Sequence, residues 1–170
     1  MSREGVDVVG KLLAVHDGKD VLPAIQRVLD SLGPDPQPEA AIRVLEEDDA
    51  WQHCSPEIVW DMTPTGLGLV AHGAKELCQW WSTWLAALSK YVYRSNKKDH
   101  QDLGDWVLTK GDVVATARNG QAVEMPVWQL WKVADRRVTV MRGFLKEADA
   151  RAAAGVGAQR PRSRVKRAGR

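Results

Sequence analysis

The chain has 170 residues, 44% hydrophobic and 27% charged, a profile that suits one soluble globular domain with a core of its own plus short appendages. No run approaches the roughly 18–20 consecutive apolar residues of a membrane helix, and two cysteines, Cys54 and Cys78, do not make a disulfide framework. The net charge of +2 hides an asymmetry: Arg160, Arg162, Arg164, Lys166, Arg167 and Arg170 close the chain without an acid, and setting these six aside leaves about −4, which argues against a folded surface built for nucleic acid.

The N-terminal run Met1-Ser2-Arg3-Glu4 lacks a charged segment followed by an apolar one, so a cytoplasmic protein with reduced thiols is expected. Val6, Val9, Leu12, Leu13 and His16 fall at helical spacing, and Asp17-Gly18-Lys19-Asp20 forms a turn. Asp20 can cap a second helix with Pro23 in its first turn and Ile25, Val28, Leu29 and Leu32 on one face, stopped by Gly33-Pro34-Asp35-Pro36. A third helix is predicted from Pro38 to Asp48. Pro56 to Met62 reads as a strand, and Thr65 to His72 as a Gly-rich surface loop. From Gly73, Leu77, Trp80, Trp81, Trp84, Leu85 and Leu88 recur at three and four residues, which predicts a long helix with one strongly apolar side.

Strands follow: Tyr91 to Asp99, Asp105 to Thr109, Val113 to Arg118, Ala122 to Val133 and Arg137 to Leu145. Lys110-Gly111-Asp112 reads as a break, Asn119-Gly120 as a hairpin and Ala134-Asp135-Arg136 as a turn. Glu147 to Ala154 predicts a short helix ended by Gly155, and the basic remainder reads as a disordered tail. One domain over residues 1–155 with a tail over 156–170 is the expected organisation. Helices and strands are segregated along the chain, which implies α+β. Both faces of the Ala122–Val133 strand are apolar: Met125, Val127, Trp131 and Val133 on one, Pro126, Trp128 and Leu130 on the other. One face is expected under the helices and the outer one against a second copy, as a homodimer.

Four segments resemble one superfamily. Pro56-Glu57-Ile58-Val59-Trp60-Asp61-Met62 looks like its first strand, and Ala71 to Leu77 followed by Trp80-Trp81 and Trp84 like its long helix. Val123 to Val133 is similar to its central strand, and Arg137 to Phe144 to its last. The superfamily is the nuclear transport factor 2-like, or SnoaL-like, group. It includes polyketide cyclases, ketosteroid isomerases, limonene-epoxide hydrolases and non-catalytic binding modules. The resemblance implies a cone-shaped curved antiparallel sheet wrapped around the N-terminal helices and one long helix, enclosing an apolar pocket. Fold alone does not choose among these functions.

Carried over position by position, the resemblance gives a partial site. The carboxylate base of the isomerases matches Asp61, which can equally begin the turn into Thr63-Pro64. Their helix tyrosine matches Leu12, which cannot donate a hydrogen bond, and their strand acid matches Gln129, which can. The last-strand aspartate of the cyclases and epoxide hydrolases falls on Gly143, and no acid stands there. His72, at the mouth of the long helix, is a further acid–base candidate. Trp60, Trp81, Trp84, Trp131, Met141 and Gly143, with Leu12, are the expected ligand-binding wall. The four histidines are scattered rather than clustered as metal ligands, so neither a metal nor a cofactor is expected.

The leading expectation is a cofactor-free acid–base enzyme, an isomerase, cyclase, dehydratase or hydrolase, acting on a polyketide-, steroid- or terpenoid-like molecule, with Asp61 as base. The rival is a non-catalytic module that binds a small molecule or a partner protein. Recruitment of nucleic acid by the basic tail is a weaker third reading.

Overall fold

Three helices come first, where the apolar spacing predicts them: α1 (Ser2–His16), α2 (Leu22–Leu32) and α3 (Pro38–Glu47). The computed structural model describes residues 2–33 and 35–156; the six cations of the expected tail lie outside them. Val9 and Leu12, Ile25 and Leu29, and Ala41 and Leu45 turn one stripe of each helix into the core. Asp20 acts one residue earlier than a helix cap. Its Oδ1 accepts from Leu22 N at 3.1 Å and from Tyr91 N at 3.2 Å, so it ties the helical layer to the sheet.

The strands are β1 (Cys54–Asp61), β2 (Val70–His72), β3 (Leu88–Ser95), β4 (Gln101–Asp102), β5 (Val107–Ala117), β6 (Ala122–Ala134) and β7 (Arg137–Phe144). Helix α4 (Gly73–Ala86) lies between β2 and β3, and α5 (Glu147–Ala153) follows β7. The fold is α+β, with a curved, unclosed sheet in the order β2-β1-β7-β6-β5-β3 and β4 on the side of β5. The sheet expected as antiparallel carries one parallel pair: β1 runs alongside β7, with Trp60 opposite Met141 and Asp61 opposite Arg142. The remaining pairs are antiparallel.

Two expected interruptions are strands. The segment 65–72 ends in β2, which pairs Trp60 with Ala71. Lys110-Gly111-Asp112 does not break the chain; β5 runs straight through it. Gly111 is there because the ring of Tyr93 lies where a Cβ would project. A glycine inside a strand marks such a close approach as readily as a turn.

The concave face holds the core. From α4, Ala74, Leu77, Cys78, Trp80, Trp81 and Leu85 are buried, against Ile58, Trp60, Trp131 and Met141 of the sheet. Burial pushes the Cys54 thiol up to about 12 and the Cys78 thiol up to about 11, so both behave as small apolar groups rather than nucleophiles. The edge strand β3 is covered by the turn after α1: Gly18 N donates to Tyr93 O at 2.8 Å, Val21 N to Tyr91 O at 3.0 Å, and Ser95 N to Asp17 Oδ1 at 2.7 Å.

The convex face is less bare than its apolar pattern suggests. Helix α5 sets Ala150 against Leu108, Leu130 and Phe144. Lys110, Lys132 and Arg142 lie over the rings of Trp128, Trp106 and Phe144, at 5.9, 5.9 and 5.8 Å from the ring centres. Alkyl stems and cation–π contacts shield part of this aromatic surface from water. Among the described residues, no helix is long and apolar enough to cross a membrane.

Candidate functional site

Between α1, α2, α4 and the concave face of the sheet lies a cavity of about 80 Å³. Leu12, Leu13 and His16 reach it from α1, and Val21 and Ile25 from the start of α2. Trp51, from the turn before β1, and Trp60, Trp81 and Trp131 form an indole wall. The Trp60 ring centre lies 5.7 Å from Trp51, 5.9 Å from Trp81 and 6.0 Å from Trp131, in tilted and edge-on contacts. Tyr91 and Tyr93 from β3 and Gln129 from β6 complete the lining.

The sheet register explains this set. Gln129 and Trp131 are two apart on β6 and share a face, and Trp131 pairs with Met141, which pairs with Trp60. Among these, Trp131 is anchored: its Nε1 donates to Thr109 Oγ1 at 2.9 Å, and both residues are fully buried. Burial is the main cause that raises the proton affinity of the Tyr93 hydroxyl.

The polar atoms of the wall are the unusual feature. His16 Nε2, Trp60 Nε1, Trp81 Nε1, Tyr93 Oη and Gln129 Oε1 are all closed off from solvent, and none has a hydrogen-bond partner. Buried polar groups are ordinarily paired, and each left unpaired costs about 1–3 kcal/mol. These five atoms belong to residues of the wall but do not reach its free space, whose accessible lining is almost wholly apolar, and Trp80 Nε1 and both ring nitrogens of His100 are likewise closed off and unpaired outside this wall. Burial lowers the pKa of His16, with Asp48 pulling it upward and Lys19 downward, so the imidazole favours its neutral form. No Asp, Glu, Lys or Arg lines the cavity among the described residues.

The expected site residues divide. Leu12, Trp60, Trp81, Trp131 and Gln129 line the cavity. Met141 is fully buried in the core behind it. Trp84 lies outside the lining, stacked on Trp80 with ring centres 5.5 Å apart and set edge-on to Tyr91 at 4.8 Å. Gly143 does not enlarge the cavity as expected, because Met62 fills the space above it: a Cβ on Gly143 would lie 2.5 Å from Met62 Sδ.

Asp61 corrects the expected catalytic geometry most sharply. It follows Trp60 on β1 and so points to the opposite face. Its Oδ1 accepts from Thr63 Oγ1 at 2.6 Å and Thr63 N at 3.0 Å, and its Oδ2 accepts from Arg142 Nε at 3.0 Å. Burial opposes its charge, but these hydrogen bonds and the Arg142 charge outweigh burial and hold the carboxyl below its ordinary range. That is the signature of a turn-starting, ion-paired carboxylate, not of a base with raised proton affinity. His72 is exposed; its backbone N donates to Glu76 Oε2 at 2.7 Å at the start of α4, away from the cavity.

Sequence reasoning passed over His16, Trp51, Tyr91 and Tyr93. For His16 the signal was present, since it stands four residues after Leu12 on the same helical face. For Tyr93 the clue was Gly111, whose partner across the strands is visible only in the fold.

No protein-family model and no curated protein matches the chain. Solved structures do resemble it. An NTF2-like protein of unknown function from Burkholderia pseudomallei shares 17% identity, covers 89% of this chain and 97% of its own, and superposes with a TM-score of 0.56. An NTF2-like protein from Burkholderia xenovorans shares 13%, with coverage of 86% and 92% and a TM-score of 0.54. TerC, solved with polyporic acid, shares 14%, with coverage of 79% and 98% and a TM-score of 0.51. The chain therefore has the NTF2-like fold.

Proposed function

We propose that the chain binds a small, uncharged, largely apolar molecule in the indole-walled cavity. The observation that carries this reading is a cavity of about 80 Å³ whose wall is built from four indoles and aliphatic side chains and holds no ionised residue among those described. A ligand with an apolar body gains burial against the indole and aliphatic wall. That TerC was crystallised with polyporic acid is in keeping with small-molecule binding in this fold. The test is a titration of intrinsic Trp fluorescence with uncharged aromatic and alicyclic probes. A saturable change that Leu13→Phe, a filling substitution in the wall, weakens by tenfold or more supports the reading; saturation indifferent to that substitution contradicts it.

Acid–base catalysis is the second reading, and His16 favours it. A neutral imidazole and a protonated tyrosine hydroxyl on residues that line one cavity can exchange protons with a bound molecule without a cofactor. In this reading His16 and Tyr93 take the place first expected of Asp61. Turnover of a bound ligand that survives Asp61→Asn but falls at least a hundredfold in His16→Gln supports it; the reverse pattern returns the chemistry to Asp61. A homodimer through the outer sheet face and a cytoplasmic setting also belong to the proposal, the dimer resting on the surface formed by Pro126, Val114 and Trp128.

A further inference from the structure

The turn between α1 and α2 closes over the edge of β3 at the rim of the cavity. Gly18 N donates to Tyr93 O at 2.8 Å, and Val21 N to Tyr91 O at 3.0 Å. Two carboxylates of the same turn face the strand: Asp17 Oδ1 accepts from Ser95 N at 2.7 Å, and Asp20 Oδ1 from Tyr91 N at 3.2 Å. His16 and Val21 line the cavity on one side of this seam, Tyr91 and Tyr93 on the other. Residues 17–20 are all exposed. A seam of exposed hydrogen bonds opens more readily than a packed strand at the centre of a sheet.

A histidine sits on each flank of the seam. His16 directly precedes the turn, and its Nε2 is closed off from solvent without a partner. His100 follows the one-turn helix Lys97–Asp99, just beyond β3. That segment lies against α1 at Gly10, where a Cβ would stand 3.4 Å from Lys97 Cε. Both ring nitrogens of His100 are closed off and unpaired. A charged imidazole donates from both nitrogens, so charging either ring where it stands would leave a buried donor of a cation without an acceptor.

The charged groups that bear on the two rings do not relieve this. For His16 they are Asp48, at the end of α3, and Lys19 of the turn; for His100 they are Lys97 and Asp99 of its own segment and Asp17 of the turn. Asp48 Oδ1 already accepts from Ala50 N and Trp51 N, and Asp17 Oδ1 from Ser95 N. None of these carboxylates reaches an unpaired ring nitrogen. Burial is accordingly the main cause that lowers the pKa of both histidines. A proton is accommodated only when a ring, or the turn beside it, moves.

We propose that the turn 17–21 is an acid-released clasp: uptake of protons by His16 and His100 lifts it from β3, which frees the amides of Tyr91 and Ser95 and parts the cavity wall between Val21 and Tyr91. The lifted turn returns the imidazoles to water, where they titrate near about 6.5, whereas the closed turn refuses the proton. Acid therefore favours the lifted form as the pH falls from about 7.5 to about 5.5, by up to about tenfold for each ring. The clasp needs no ligand in the cavity.

Amide hydrogen exchange followed by NMR on the intact chain, at about pH 7.5 and about pH 5.5 and corrected for the intrinsic exchange rate, tests this. The protection of Gly18, Val21, Tyr91 and Ser95 should fall by at least about fivefold at the lower pH, with Leu130 and Trp131 of β6 better protected than these four at both. The double substitution His16→Gln, His100→Gln should hold the four clasp amides to within about twofold. Circular dichroism checks that this variant is folded; if it is not, each single substitution should remove part of the fall. Equal protection of the clasp and of β6 at both pH values overturns the clasp, because the chain then opens only as a whole. Clasp protection that does not change with pH overturns its release by acid. A full fall in the double variant, or in both single ones, overturns the part of the histidines.

Discussion

Arg142 Nε donates to Asp61 Oδ2 at 3.0 Å across the parallel pair β1–β7, on the face of the sheet away from the cavity. The pair joins two strands far apart in sequence, and the Arg142 side chain is about one-third exposed. Its worth lies between that of a surface ion pair and a buried charged hydrogen bond, about 1–2 kcal/mol with the Thr63 contacts included. Asp61→Asn should therefore lower stability by about that amount in urea denaturation. It should leave the affinity of a cavity ligand within twofold. A large loss of affinity with unchanged stability would place Asp61 back in the site.

The Asp61 carboxyl also has a pH signature. Its folded pKa is held below the unfolded value of about 3.9, so its contribution is complete above that pH and lost as the pH falls through the folded value. Asp61→Asn should accordingly flatten the acid limb of a stability–pH curve below about pH 4. An unchanged limb would show that the ion pair contributes nothing.

The histidines act in a higher window. Burial is the main cause that lowers the pKa of His16 and of His100. Near pH 6.5 the unfolded chain takes up protons that the folded chain refuses, so stability falls as the pH drops from about 7 through about 6. The double substitution His16→Gln, His100→Gln should reduce this fall, read as the shift in thermal midpoint between about pH 7.5 and 5.5. Binding of an uncharged ligand should hold over this interval in the wild type and weaken only at the lower pH at which the folded His16 itself takes up a proton.

Gly143 is a packing residue. Its hydrogen side abuts Met62 Sδ, so Gly143→Ala should destabilise by about 1–3 kcal/mol, the usual range for overpacking. Because the atoms met are the far end of the flexible Met62 side chain, which can swing aside, the loss should fall at the low end of that range, about 1 kcal/mol, and Met62→Ala in the same chain should recover part of it. Failure of the second change to compensate would mean that the backbone of β7, not Met62, limits the site.

The fold was legible because its signals are periodic. The three-and-four spacing from Leu77 to Leu85 predicted α4, and the two apolar faces of β6 predicted cover on both sides. The structure shows that cover as the helical layer on one side and, in part, α5 on the other. Of the expected wall, Leu12, Trp60, Trp81 and Trp131 line the cavity, as does Gln129, which was expected in a catalytic role; Leu12 and Gln129 were carried there by the family resemblance, position by position. What escaped depends on contacts between distant segments. Lys110-Gly111-Asp112 carries turn residues, yet Gly111 serves the Tyr93 ring from β3. Asp61 stands at the expected position of a base, yet strand alternation after Trp60 turns it to the other face, where Arg142, eighty-one residues later, pairs with it. Gly143 looked like an opening until Met62 was placed over it.

The outer face gives a separate test. Light scattering at micromolar concentration should report about twice the mass of one chain if a second copy covers Pro126 and Trp128. Trp128→Glu should then return the mass of a single chain. A single-chain mass for the wild type would mean that the lysine stems and α5 already shield this face sufficiently.

The most direct measurement is nitrogen-correlated NMR of the eight tryptophan indole N–H groups, recorded while an uncharged aromatic probe is added. The indole resonances of Trp60 and Trp81 should shift saturably, and those of Trp106 and Trp128 on the outer face should stay in place. Shifts confined to Trp106 and Trp128, or none at millimolar concentrations of any uncharged probe, would contradict a ligand-binding cavity.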